Sequence, residues 1–295
     1  MKKKLGDTLK EIRINQGLKQ KDLFDEFLPR GTLQKIESNE RVPAYDRLQY
    51  IARKLNTTIS EIEFLQNHKQ LSKVEKIIFD YRNLKHSIYT DDIKNLLTRM
   101  EKYLDEAYDQ RIFELKAILE AMLIINNTQD YQAPVKKVQF IWERLEKQDE
   151  WLSIDMLILA HIFFIFPTYT ARQIINRLVI NIESYVYFQN NKRLQLGLYL
   201  NIASYLKSNF EIVNSEEYIV KAIELARESE NLVLETVANY RFAEVLLIKG
   251  EKKKALDIAE NSFAILKLAK RNKLLDDIKG EWQQINENIN DYTST

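Results

Sequence analysis

The chain has 295 residues, 45% of them apolar and 29% charged, with a net charge of +1, which is enough for two domains with sizeable cores and a soluble surface. It contains no cysteine, which excludes disulfides and thiolate metal sites and fits a reducing cytoplasm. No apolar core follows Met1-Lys2-Lys3-Lys4, so no secretion signal is expected. The most apolar run, 156–166, is too short to span a bilayer and is interrupted by His161.

Only six glycines and four prolines punctuate the chain, and apolar residues recur every three or four positions almost throughout. That spacing predicts an all-α protein. Five short helices fit residues 5–66. The first carries Leu5, Leu9 and Ile12 on one face and stops at Gly17, a residue suited to a left-handed C-terminal cap. A second is expected from about Gln20 to Phe27, burying Leu23, Phe24 and Phe27. The third, at 30–38, turns Leu33 and Ile36 inward. The fourth starts just after Pro43 and places Leu48, Ile51, Ala52 and Leu55 on one face. The fifth opens on Thr58 with Glu61 three residues later, a capping-box spacing, and buries Ile62 and Leu65.

From Leu71 the helices lengthen. One continuous helix is expected over 70–88, then helices near 91–109, 111–127, 133–147, 152–166, 170–189, 193–208, 216–229, 232–249, 252–269 and 272–290, joined by short turns as antiparallel hairpins. Two hairpins look related: "YLNIASYL" (199–206) and "YRFAEVLL" (240–247) align Ala203 with Ala243, and Ala255 follows Ala243 twelve residues later across "KGEKKKA". A small residue in each helix of a pair lets the two approach closely, which is the logic of a tetratricopeptide repeat. The last helix, with Trp282 and Ile285, would cap the array.

Charge is uneven along the chain. Residues 1–60 hold thirteen Lys and Arg against eight Asp and Glu, a net of +5, so the remainder sums to −4. A basic first domain points to a polyanion. On the third helix Gly31, Gln34, Lys35 and Ser38 form a continuous polar face opposite Leu33 and Ile36, and Arg30 and Thr32 project at its start. These side chains carry donors and acceptors matched to base edges and phosphates. Catalysis is not expected: the only histidines are His68, His86 and His161, and there is no H-E-x-x-H, phosphate-cradling glycine loop or nucleophile motif. No metal or cofactor is implied.

The order of these signals resembles the Xre-type helix-turn-helix domain over about residues 5–65. Arg13 precedes Gly17-Leu18, Gln20 opens the second helix, Ile36-Glu37 is followed by Arg41-Val42-Pro43, and Ala52 and Leu55 precede the last turn. The resemblance implies that helix 30–38 is the recognition helix in a major groove, that Gln20 anchors to phosphate, and that Arg13 pairs with Glu37. The candidate DNA-binding residues are thus Arg13, Gln20, Arg30, Thr32, Gln34, Lys35 and Arg41. Three positions depart from the family pattern. Lys19 stands where a Ser or Thr cap is usual, Asn39 where a turn glycine is usual, and Gly31 leaves a gap in the reading face.

An Xre-type domain followed by tetratricopeptide-like helices resembles, in architecture and length, the Rgg-type regulators of the peptide-pheromone receptor class. The resemblance implies a cytoplasmic homodimer that binds an operator and a short, hydrophobic signalling peptide on the concave face of its repeats. The cysteine that links DNA-binding domains in some members is absent here. The expected organisation is a helix-turn-helix domain at 1–66, a linker helix at 67–90, repeats at 91–271 serving peptide binding and dimerisation, and a capping helix and tail at 272–295. Asn201 and Arg241 occupy equivalent inner positions beside Ala203 and Ala243, as do Ser204 and Glu244, with Tyr240 beside them. Asn can donate to and accept from a peptide backbone, and Arg can hold a carboxylate bidentately. Leu157, His161 and Phe164 could form an apolar wall. The alternative is a DNA-binding regulator whose helical body only dimerises or docks a partner protein.

Overall fold

The computed structural model describes residues 2–84, 90–128, 130, 132–185, 187–188 and 191–293, and every regular element among them is helical. The chain divides into two compact units, Met1–Arg82 and Asn83–Thr295.

In the first unit α1 (Leu5–Asn15), α2 (Arg30–Glu37), α3 (Tyr45–Lys54) and α4 (Ile59–Gln66) enclose a core of Leu9, Leu23, Leu28, Leu33, Ile36, Ile51, Ala52, Leu55 and Ile62. Their ends follow local chemistry. Gly17 adopts φ 71° after α1, where a Cβ would be strained. Thr58 caps α4 by accepting the Glu61 N–H at 3.1 Å. Asn39, at φ 61°, ends α2 in the left-handed region that Asn tolerates. Its side chain also accepts the Gly6 N–H at 2.8 Å and donates to Asp7 at 2.8 Å, tying the end of α2 to the start of α1. Gly6 is required there: a Cβ would lie 2.0 Å from the Ile36 carbonyl oxygen.

One of the five expected helices does not form. The segment 20–27 shrinks to a 3-10 turn over Gln20–Asp22. The Asp25 carboxylate accepts the N–H groups of Phe27 and Leu28, both at 3.1 Å, and so offers the backbone an alternative to helical bonds. Pro29 also disfavours a helical Leu28. Leu23 is buried as expected, but Phe24 is only half-buried and Phe27 is exposed, its ring edge-on to Tyr50 at 5.1 Å. A fifth helix, α5 (Lys73–Arg82), is shorter than the expected 70–88, and residues 85–88 of that range, with His86, lie outside the described residues.

The second unit is a stack of antiparallel pairs. Its helices are α6 (Thr90–Glu106), α7 (Gln110–Thr128), α8 (Val135–Leu145), α9 (Ser153–Ala160), α10 (Thr168–Ser184), α11 (Lys192–Ser208), α12 (Glu216–Glu228), α13 (Leu232–Ile248), α14 (Lys252–Leu268), α15 (Asn272–Glu287) and the short α16 (Ile289–Thr293). Consecutive helices from α6 to α8 and from α9 to α15 pack on one another. In addition α7 contacts α9, α9 contacts α11 and α13 contacts α15, while the 3-10 turn Ile212–Ser215 bridges α11 and α13. Among the described residues no contact of like extent joins α8 to α10, α10 to α12, or α12 to α14. The odd-numbered helices therefore form the inner layer of a solenoid and the even-numbered ones its splayed outer layer. Ala203, Ala243 and Ala255 are all buried, as close helix approach requires.

Two expected helices are broken. The segment 152–166 stops at Ala160, passes through His161 and resumes as a 3-10 turn over Phe163–Ile165. Pro167 forces the preceding Phe166 into an extended conformation. The last helix breaks at Asn288, so that α16 packs back against α13.

Candidate nucleic-acid interface and ligand face

The first candidate site is the outward face of α2. Leu33 and Ile36 are sealed in the core, whereas Arg30, Gly31, Gln34, Lys35 and Ser38 are exposed and Thr32 is half-buried. Arg41, just past the helix, is exposed as well. The side chains of Arg30, Gln34, Lys35 and Arg41 engage no partner among the described residues. Four polar side chains, three of them cationic, thus project from one short segment without internal neutralisation.

Behind that face sits Glu37. Its buried carboxylate receives Arg13 Nε at 2.7 Å, Arg13 Nη2 at 2.9 Å and Gln20 Nε2 at 2.8 Å. Arg13 Nη1 also donates to the Leu18 carbonyl at 2.8 Å. The hydrogen bonds from Arg13 to Glu37 raise the guanidinium pKa against the opposing effect of burial. One carboxylate therefore joins α1, the 3-10 turn and α2. Arg13, expected among the DNA contacts, is instead buried, and its donors are engaged by Glu37 and the Leu18 carbonyl within the first unit. Gln20 is half-buried and turns an amide N–H inward to Glu37.

The second candidate site lies on the inner layer of the repeats, and its residues separate into two groups. Asn201 and His161 meet at the end of α9. Asn201 Nδ2 donates to the Ala160 carbonyl at 3.0 Å, and His161 Nδ1 donates to the Leu157 carbonyl at 2.7 Å, so both satisfy carbonyls that the helix end leaves open. Burial pushes the His161 imidazole below its ordinary pKa, and the Leu157 hydrogen bond only partly offsets this. Phe164 is half-buried and edge-on to Phe163 at 5.5 Å, and Ser204 is half-buried on α11. Leu157 is buried, so it contributes to the core rather than to an apolar wall.

The other group is a closed cluster of charges. Glu244 accepts from Tyr240 Oη at 2.7 Å, Arg241 Nη1 at 2.9 Å and Lys207 Nζ at 2.5 Å. Glu281 of α15 accepts from Lys207 Nζ at 2.6 Å and from both terminal nitrogens of Arg241, Nη2 at 3.0 Å. Burial works against ionising the Glu281 carboxyl, but Arg241 and Lys207 outweigh it and hold its pKa well below the usual carboxylate range. The same balance, with Glu244 and Glu281 overcoming burial, raises Arg241 well above its ordinary value. Tyr240 and Glu244 have no exposed surface. Their expected role as direct ligand contacts is therefore corrected: they fix Arg241 from behind. Lys207 and Glu281 were not anticipated. A signal existed, because an Arg and a Glu three residues apart within an almost wholly buried helix must find charged partners.

Two family models match this chain. One, described as a helix-turn-helix, covers residues 9–62. The other, described as the C-terminal domain of the HTH-type transcriptional regulator Rgg, covers residues 94–279, more than half of the chain. The chain belongs to the Rgg family of transcriptional regulators. No curated protein sequence matches it. Solved structures reproduce the Rgg-type fold over nearly the whole length. A protein of Listeria monocytogenes EGD-e described as a transcriptional regulator is 18% identical, with a TM-score of 0.77, over 98% of this chain and 99% of its own. ComR of S. thermophilus, solved with DNA and its signalling peptide ComS, is 16% identical with a TM-score of 0.67, covering 94% and 98%. The SHP pheromone receptor Rgg2 of Streptococcus dysgalactiae is 18% identical with a TM-score of 0.65, covering 95% and 99%. Among the described residues of this Rgg-type chain no helix is long and apolar enough to cross a membrane, and no group of His, Asp and Glu could hold a metal ion.

Proposed function

We propose that this Rgg-type protein is a cytoplasmic homodimer that binds a DNA operator through α2 and adjusts that binding when a short hydrophobic peptide occupies the inner layer of its repeats. The observation that carries the DNA half is the unengaged set of Arg30, Gln34 and Lys35 on a helix braced from behind by Glu37, with Arg41 unengaged just past its end. Arg is suited to guanine edges, Gln to adenine, and Lys to either base or phosphate, while Thr32 in the first turn of α2 and Gln20 in the preceding 3-10 turn are suited to phosphate contacts that fix register. The peptide half is supported by family membership and by the ComR structure, which holds DNA and a signalling peptide on the same fold. On this chain the contacts fall to Asn201, Ser204, His161, Phe164 and Arg241, with Leu157, Tyr240 and Glu244 supporting them.

A second reading, in which the helical body only dimerises or docks a partner protein, draws on the closed state of the Arg241–Glu244–Glu281 cluster. Calorimetry separates the two. Titration of the full chain with short apolar peptides secreted by its host should release or absorb heat at a saturable site, and a flat titration across them would leave the docking reading. For DNA, footprinting upstream of the protein's own gene should give a protected segment. The variant Arg30→Ala/Gln34→Ala/Lys35→Ala should lose it, and unchanged protection by that variant would sink the assignment of α2.

A further inference from the structure

The charge cluster on the inner layer holds two kinds of carboxylate. Glu244 shares α13 with Arg241, is fully buried, and takes three donors from Tyr240, Arg241 and Lys207. Glu281 arrives from another helix, and its side chain keeps 26% of its surface exposed, against 1% for Glu244. Arg241 grips it with both terminal nitrogens while Lys207 closes on the same oxygen, the fork geometry that selects carboxylates. The chain after α15 then folds over the cluster. Tyr292 of α16 packs on Phe210 with ring centroids 5.1 Å apart, and its phenol is held above its ordinary pKa by burial and by the neighbouring Glu244 and Glu281 carboxylates.

We infer that Glu281 and α16 form an internal latch, in which the Glu281 carboxylate occupies on Arg241 and Lys207 the seat that a peptide carboxylate takes when a ligand binds. The inference rests on the peptide-sensing reading and specifies its chemistry. With both acids seated, two cations face two anions and the cluster is neutral. Withdrawing Glu281 alone would leave Arg241 and Lys207 facing one carboxylate in a buried site, which is strongly unfavourable. An incoming carboxylate restores the balance, so α15 and α16 are released only as the ligand arrives. A neutral ligand end leaves the latch shut. Glu244, by contrast, stays in place in both states and keeps Arg241 aimed.

The probes are three mixed libraries of short apolar peptides: free acids, C-amides, and C-amides carrying one internal Asp or Glu. Retention on the full-length protein is read by mass spectrometry, and hydrogen exchange of 282–293 is followed in parallel. Free acids should be retained over plain amides, and the acid-bearing amides report whether a side-chain carboxylate serves as well as the terminal one. Glu281→Gln should raise retention of the carboxylate libraries about tenfold or more, because the competing internal state is weakened, and should speed exchange in α16 without ligand. Glu281→Asp keeps the charge but shortens the reach, so it should shift both readouts the same way by less, and far-UV circular dichroism confirms that each variant is folded. Equal retention of all three libraries, or no change in retention on Glu281→Gln, would overturn the latch and leave peptide sensing standing. Retention of no library by parent or variant would remove both.

Discussion

The two units handle charge in opposite ways at their candidate faces. On and just past α2 the cations of Arg30, Lys35 and Arg41 stand in solvent without partners among the described residues, and a buried ion pair, Arg13–Glu37, lies behind them. On the inner layer of the repeats the charges are buried at the face itself and neutralise one another. The difference matches the partners proposed. A DNA backbone supplies a dense array of phosphates and releases counterions, so exposed cations need no preformed complement and are best left free. A short peptide offers one or two charges, and a site for it has to be dry and directional to discriminate. A dry site cannot leave its own charges unpaired while it waits, so it must supply its own stand-in.

The largest effect should come from the brace behind α2. Glu37→Ala would strand Arg13 in a site where its charge has no other anion, and Gln20 would lose its acceptor. We expect a loss of about 3–5 kcal/mol in the stability of the first unit, read by urea unfolding. The double variant Arg13→Met/Glu37→Leu, which removes both charges, should recover most of that loss. If the single substitution cost less than about 1 kcal/mol, the buried pair would not brace α2.

Next in size is the response of DNA affinity to salt and to the α2 face. Replacing Arg30, Gln34 and Lys35 together by alanine should weaken binding by at least about 1–3 kcal/mol. It should also flatten the dependence of log affinity on log salt by roughly two, because two cations are removed. Thermal stability should hardly change, since none of the three side chains supports the core. A variant that melted much earlier would show that this face is structural after all.

Much of this contrast can be read from sequence on the DNA side and little of it on the repeat side. The helix-turn-helix positions are local: Leu33 and Ile36 define the buried stripe of α2, and Asn39 and Gly17 mark helix ends within a few residues. The failure at 20–27 is also local, because Asp25 and Pro29 together outweigh an apolar pattern that favours a helix. Gly6 escaped notice because its requirement comes from the Ile36 carbonyl, thirty positions away in chain order and in contact only after folding. In the repeats, the spacing of Ala203 and Ala243 gave the helix pairs and their inner faces. It could not say that Lys207, Arg241, Glu244 and Glu281 converge, since they come from three helices whose relative rotation is set by packing. Burial of Tyr240 and Glu244 follows from the same rotation, as does the turning back of α16.

Acid offers a smaller test, this time on the repeat side. The folded Glu281 carboxyl titrates below its ordinary value of 4.5, so the folded state binds fewer protons there than the unfolded chain. Its stabilising contribution is complete above that ordinary value and fades as the pH falls through the folded pKa. The parent should therefore lose melting temperature between about pH 5 and pH 3 more steeply than Glu281→Gln, which carries no proton-binding group at that position. Parallel slopes for the two proteins would mean that the cluster is not held together by an ionised Glu281. The first unit provides no such contrast, because Glu281→Gln leaves Glu37 and its partners untouched.

The smallest effect concerns Gly31, the gap in the exposed face of α2. It is helical, it has no positive φ, and a Cβ there would meet nothing within 4 Å. The fold gives no reason for glycine, which destabilises a helix interior by about 0.5–1 kcal/mol relative to alanine; at this first-turn position the penalty should sit at the low end. Gly31→Ala should accordingly raise the melting temperature of the first unit slightly. If the position exists so that the α2 backbone can approach a phosphate or a base, the same substitution should weaken operator binding. Stability and affinity would then move in opposite directions for a single methyl group. Should both rise together, Gly31 would carry no function, and reading of the operator would rest on Arg30, Gln34 and Lys35 alone.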